Sequence, residues 1–152
     1  MEQARINPAG CALQRCLLYP QKAMVPGEVT NGVPAMDLQL DDKTALITGS
    51  TGGIGLAIAR KLAVEGAKVI IAGRTQAKLD HAVESIRSAG GAHVNGVLAD
   101  PTTREGAATL LAASPFVDIL VNNLGIYEIK NFIDITDDVW RRYFEVNVLS
   151  GA

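Results

Sequence analysis

Short, continuous apolar runs alternate with segments in which apolar residues recur every three or four positions. The runs at residues 44–48, 68–72 and 116–121 are typical of strands that are buried on both faces of a parallel sheet. A weaker run at residues 93–98 is interrupted by Asn95 and Gly96. The pattern therefore predicts four strands with longer, helix-like segments between them.

The segments with helical spacing predict four helices, over residues 53–65, 76–89, 101–114 and 137–152. Thr75 and Thr136 stand where a helix cap is expected, and Asp100 followed by Pro101 predicts a third cap with proline in the first turn. Strands that alternate with helices predict an α/β fold. We expect a Rossmann-like, doubly wound parallel sheet in a three-layer α/β/α arrangement.

Residues 1–35 lack this pattern. They hold four of the six prolines in the chain and both of its cysteines, Cys11 and Cys16. We interpret residues 1–35 as a flexible N-terminal extension and residues 36–152 as the folded domain, with Met36 as an alternative start. Two isolated thiols are too few for a disulfide framework or a thiolate metal site, so we expect no metal.

Composition and charge exclude several classes of protein. The chain has 152 residues, of which 20% are charged, and a net charge of −2. This weak acidity provides no attraction to nucleic acid or to an anionic membrane. No apolar run reaches the ~18 residues that a membrane-spanning helix needs. We therefore expect a cytoplasmic protein with no nucleic-acid or membrane partner.

A glycine-rich loop joins the first predicted strand to the first predicted helix. It reads Thr-Gly-Ser-Thr-Gly-Gly-Ile-Gly over residues 48–55, at the position where dinucleotide-binding folds hold a pyrophosphate. Gly49 would allow the tight turn, Gly53 the close approach of a phosphate, and Gly55 the packing of helix on sheet. No Lys follows in a Gly-Lys-Ser/Thr arrangement, which disfavours a nucleotide triphosphatase of the P-loop type.

The spacing of this loop resembles that of the short-chain dehydrogenase/reductase family. Three further motifs match the family in order: Asp100 after the third strand, Asn122-Asn123-Leu124-Gly125 after the fourth, and Asn147 in the last helix. The resemblance covers about residues 38–152 and departs from the family at Leu124, where Ala is usual. It implies that Asn147 is catalytic. Together with the chemistry of the glycine loop and of Arg74 at the end of the second strand, it gives the candidate cofactor-binding residues, namely Gly49, Ser50, Thr51, Gly53, Ile54, Gly55, Arg74, Asp100, Asn122 and Gly125.

The end of the second strand predicts which nicotinamide cofactor is bound. A carboxylate at this position holds the ribose 2′-hydroxyl of NAD, but here the position is Gly73 and Arg74 follows. A guanidinium suits a 2′-phosphate, and the hydroxyls of Ser50 and Thr51 would add contacts. We therefore expect NADP in preference to NAD. An acidic residue in place of Gly73 should shift the preference toward NAD.

The family resemblance implies hydride transfer between nicotinamide and an alcohol or ketone substrate, with a Tyr-x3-Lys pair as acid/base. This chain contains no Tyr-x3-Lys; Tyr127 and Lys130 are one residue too close. We therefore expect a C-terminally truncated, incomplete domain that is inactive alone. The subunits of the family commonly associate, so the resemblance implies a homo-oligomer as the candidate assembly and leaves its oligomeric state open. The alternatives are a non-catalytic NADP-binding module, acting as a sensor or a partner subunit, and a remnant that binds no cofactor.

Overall fold

The computed structural model describes residues 37–152. The predictions for the extension, including those for Cys11 and Cys16, lie outside the described residues. Within these residues there are four strands: β1 (Thr44–Ile47), β2 (Lys68–Gly73), β3 (Val94–Leu98) and β4 (Ile119–Val121). They alternate with four helices: α1 (Gly53–Val64), α2 (Gln76–Ser88), α3 (Arg104–Ala113) and α4 (Asp137–Asn147). Short 3-10 turns cover Phe132–Asp134 and Leu149–Gly151.

The strands form one parallel sheet in the order β3-β2-β1-β4. In β1, Leu46 pairs with Ile70 of β2 on one side and with Leu120 of β4 on the other. The chain therefore moves outward from β1 to β3 and then crosses back to place β4 beside β1. This reversal creates a crevice at the carboxyl ends of β1 and β4, where open α/β sheets bind their ligands.

Two apolar clusters cover the two faces of the sheet. The first joins β1, β2 and β3 to residues of α1 and α2, with Ile47, Ile71 and Ile86 fully buried. The second packs Leu46 and Ile70 with Leu110 of α3. Helices on both faces confirm the predicted doubly wound α/β architecture. Burial of both faces also explains why the strands read as continuous apolar runs.

The third helix begins later than the sequence predicts. Asp100 is not its cap, because α3 begins at Arg104 and the hydroxyl of Thr103 accepts a hydrogen bond from Gly106 N at 3.0 Å. Asp100 instead forms a turn in which its Oδ1 accepts a hydrogen bond from Thr102 N at 3.0 Å. Two local signals compete here, and Asp100 is held by the turn that ends β3.

Two other boundaries also differ from the prediction. The fourth strand begins at Ile119 rather than at residue 116, and Phe116 is 86% exposed. The fourth helix ends at Asn147, and the last residues form a separate 3-10 turn. No residue of α4 is buried. Within residues 37–152, none of the helices combines the length and the apolar content that spanning a bilayer requires.

Candidate functional site

The predicted site residues come together at the carboxyl edge of the sheet. The glycine loop follows β1, Arg74 follows β2, Asp100 is the second residue after β3, and residues 122–125 follow β4. All four strands are parallel, so these segments share one edge. The helix α1 begins in the same place, and its first turn carries no acidic residue. Its free N–H groups and its positive dipole end are therefore open to an anion.

Two glycines of the loop adopt backbone conformations that other residues rarely take. Gly49 has a φ of +61° and Gly53 a φ of +55°. A Cβ atom on Gly53 would meet nothing within 4 Å, so the requirement there is conformational and the space above the loop is open. A Cβ on Gly49 would lie 2.7 Å from the carbonyl oxygen of Asn123, so this glycine also lets β4 approach.

Asn123 joins the glycine loop to the end of β4. Its Nδ2 donates hydrogen bonds to the carbonyl oxygens of Thr48 at 3.3 Å and Gly49 at 3.1 Å. Its backbone N–H donates to Thr48 Oγ1 at 3.0 Å, and that hydroxyl in turn donates to Val121 O at 3.3 Å. A Cβ on Gly55 would lie 2.5 Å from Asn123 Nδ2. The third glycine therefore makes room for this amide at the start of α1.

Ser50 faces the interior of the protein. It is fully buried; its hydroxyl donates to Ile47 O at 2.7 Å and accepts from Ala72 N at 3.1 Å. The sequence predicts that this hydroxyl contacts a 2′-phosphate, but its donor is used by Ile47 O. The two hydrogen bonds also connect the loop to β2. The expected hydroxyl contact of Ser50 is therefore replaced by a positioning role. Thr51 lies on the loop at intermediate exposure, and Ile54 is 74% exposed on the first turn of α1.

Arg74 and Asp100 form the charged part of the edge. Desolvation raises the pKa of the Asp100 carboxyl, but two hydrogen bonds from Thr102 and the positive charge of Arg74 outweigh it, and the pKa is lowered. The shorter of these bonds joins Thr102 Oγ1 to Asp100 Oδ1 at 2.7 Å. The Asp100 side chain is therefore ionised at neutral pH and is held in place by Thr102. The nearby Arg74 guanidinium is exposed.

Asn147 is the last residue of α4, and its amide pairs with one residue of the loop after β4. Its Oδ1 accepts from Ile126 N at 2.7 Å, and its Nδ2 donates to Ile126 O at 3.0 Å. A Cβ on Gly125 would lie 3.5 Å from Asn147 Oδ1. Asn122 reaches the same region and donates from Nδ2 to Gly151 O at 3.1 Å. These contacts bring Asn122, Gly125 and Asn147 together at the end of α4.

Sequence reasoning missed three residues that hold the site in place. Thr48 accepts from Asn123, Thr102 fixes Asp100, and Thr103 caps α3. The turn at Asp100 could have been predicted from the two threonines that follow Asp100-Pro101. An Asp side chain readily accepts a hydrogen bond from the backbone two residues later, which closes such a turn. Across residues 37–152, no group of three metal-ligating side chains comes together.

Comparison with known proteins gives the relatives of this chain. The family model described as short chain dehydrogenase matches residues 43–151. The oxidoreductase YvaG of Bacillus subtilis (strain 168) is 51% identical over 121 residues, which are 77% of this chain and 45% of YvaG. Dehydrogenase/reductase SDR family member 4 of Rattus norvegicus is 39% identical over 118 residues, which are 74% of this chain and 42% of that protein.

A solved structure shares both the fold and the sequence pattern. L-sorbose reductase from Gluconobacter frateurii, in complex with NADPH and L-sorbose, is 35% identical with a TM-score of 0.70. The match covers 76% of this chain and 46% of the reductase. The chain therefore spans less than half the length of each of these three proteins.

Proposed function

The chain belongs to the short-chain dehydrogenase family, and on that basis we propose that residues 36–152 are the NADP-binding part of an oxidoreductase. The observation that carries the proposal is the arrangement at the carboxyl edge of the sheet. There the open glycine loop, the first turn of α1 and Arg74 follow neighbouring strands.

The residues present fit a dinucleotide. The loop around Gly53 leaves open space in front of the N-terminus of α1, which suits a pyrophosphate. Gly49 and Gly55 shape this loop, with Ser50, Thr51 and Ile54 between them. The fixed carboxylate of Asp100 and the residues Asn122 and Gly125 complete the proposed binding edge. A bound nicotinamide would supply or accept the hydride in the reaction.

The choice of NADP over NAD rests on Gly73 and Arg74. No carboxylate stands at the end of β2 to hold a 2′-hydroxyl or to repel a 2′-phosphate. The Arg74 guanidinium, which is exposed, would pair with the two negative charges of the phosphate. The NADPH complex of L-sorbose reductase shows that a relative of this fold binds the phosphorylated cofactor.

The proposed reaction is hydride transfer between nicotinamide and a small alcohol or ketone. Asn147 is the proposed catalytic member within this chain, held by Ile126. The chain contains no Tyr-x3-Lys pair. We therefore expect it to bind NADPH without reducing a carbonyl substrate by itself. Association of two or more copies is part of the same proposal.

Titration of the 152-residue chain with NADPH and NADH tests the cofactor assignment. Arg74→Ala should weaken NADPH binding by about 10- to 100-fold, because charge-assisted hydrogen bonds are lost, and should leave NADH binding nearly unchanged. Arg87→Ala is the matched control, because Arg87 lies in the last turn of α2, at the opposite end of that helix. Equal losses for both cofactors would refute the assignment of Arg74.

A further inference from the structure

Gly73 is the last residue of β2, and it is glycine for reasons of space. Its φ lies outside the left-handed region, so its backbone would accept other residues. However, a Cβ atom there would lie 2.6 Å from Thr51 Cγ2 and 3.3 Å from Leu79 Cδ1. The first distance is shorter than real carbon contacts allow. The methyl group of Thr51 therefore occupies the volume that any side chain at position 73 would need.

The position of Thr51 is restricted by its neighbours and by its own side chain. Its neighbour Ser50 is fully buried and hydrogen-bonded to Ile47 O and to Ala72 N, on the two strands that flank the loop. The backbone beside Thr51 is therefore fixed relative to β2. A β-branched side chain also has restricted rotation about χ1, so turning the methyl group away has its own cost.

We propose that Thr51 is a specificity-determining residue, which acts by excluding a side chain from position 73. This inference rests on the proposed function, because it concerns the ribose subsite of the same cofactor. While the Thr51 methyl group is in this position, a carboxylate at the end of β2 requires either that the methyl group turn away or that the loop be displaced. Arg74 is then the first side chain beyond the strand that a ribose substituent can meet.

The contact between Thr51 and position 73 alters the expected effect of an acidic residue at that position. From the sequence alone, an acidic residue in place of Gly73 should shift the preference toward NAD. With the loop tied to β2, Gly73→Asp alone should push the loop outward and weaken the binding of both cofactors. A switch toward NAD should require that the Thr51 methyl group be removed at the same time.

Two substitutions at Thr51 separate its methyl group from its hydroxyl. Thr51→Ser removes only Cγ2, and Thr51→Val keeps the branched shape but removes the hydroxyl. Each Thr51 substitution is combined with Gly73→Ala, and the melting temperatures of these double variants are measured without cofactor. Each is also combined with Gly73→Asp, and the dissociation constants of NADH and NADPH are measured for those chains. Gly73→Ala alone should lower the melting temperature by roughly 5 °C through overpacking. Thr51→Ser should recover most of this loss and Thr51→Val none.

The affinity measurements then test the specificity role. The Thr51→Ser/Gly73→Asp chain should gain at least about tenfold in NADH binding relative to NADPH, while the Thr51→Val/Gly73→Asp chain should not. Equal melting temperatures for the two Gly73→Ala double variants would overturn the steric contact. A recovered melting temperature with equal cofactor ratios in the two Gly73→Asp double variants would overturn the specificity role.

If the proposed function is wrong, the cofactor titrations and the melting temperatures give different results. An unsubstituted chain that binds neither dinucleotide would refute the NADP-binding assignment and the inference with it. The melting temperatures are measured without cofactor, so they would still report whether the Thr51 methyl group excludes a side chain from position 73.

Discussion

Asn123 offers a sharp test of how the glycine loop is held. Asn123→Ala removes two hydrogen bonds, to the carbonyl oxygens of Thr48 and Gly49, at 3.3 and 3.1 Å. Each is worth about 1 kcal/mol net. Thr48 is only 6% exposed, so its carbonyl would be left partly unsatisfied. We expect the free energy of unfolding to fall by about 2–3 kcal/mol, which is a large part of the ~5–15 kcal/mol typical of a domain.

Urea unfolding followed by circular dichroism measures this change. The melting temperature should fall by roughly 10 °C for a domain of this size. Asn123→Asp should be at least as damaging at neutral pH, because a carboxylate oxygen would face two carbonyl oxygens. The control is Asn131→Ala, which removes a 3.2 Å hydrogen bond from an exposed amide to Asp134. It should change stability by less than about 0.5 kcal/mol.

An Asn123→Ala chain that is as stable as this control would refute the role given to the Asn123 amide. The same result would mean that β1 and β4 are held by their backbone ladder alone. A loss of stability with unchanged NADPH affinity would instead show that the loop keeps its shape without the amide.

Three further predictions concern other parts of the site. Asn147→Leu removes the oxygen that accepts from Ile126 N, so amide exchange at Ile126 should quicken by about tenfold, as measured by NMR. The lowered pKa of Asp100 means that its charge stabilises the fold above the ordinary carboxyl value of 3.8, and that this contribution is lost as the pH falls through the lower folded value. Asp100→Asn should therefore destabilise the chain at neutral pH and lose that effect in acid, which urea unfolding at both pH values would check; an equal deficit at both would contradict it. Trp140 is 55% exposed on α4, so Trp140→Lys should reduce self-association in sedimentation velocity with little change in melting temperature, and unchanged association would argue against an apolar contact through that face.

Much of the fold follows from local patterns in the sequence. The apolar runs predict the four strands because both sheet faces are buried, and β2 in particular is buried from Val69 to Gly73. The boundaries that differ lie where two local signals compete. Asp100 can cap a helix or close a turn, and Phe116 continues an apolar run but is solvent-exposed. A sequence pattern cannot choose between such options, because the choice depends on what packs nearby.

The order of the elements, the glycine loop, the lack of a carboxylate at Gly73 and the charge of Arg74 can all be read from the sequence. Three contacts become visible only in the folded chain: the Ser50 hydroxyl is buried between strands, Asn123 fills the space beside Gly55, and the Thr51 methyl group lies where a Cβ at position 73 would stand. Periodicity and composition report which residues are buried, since burial follows from hydrophobicity. Contacts between loop and strand depend on distances across the sheet between residues far apart in sequence, and those distances exist only once the chain has folded.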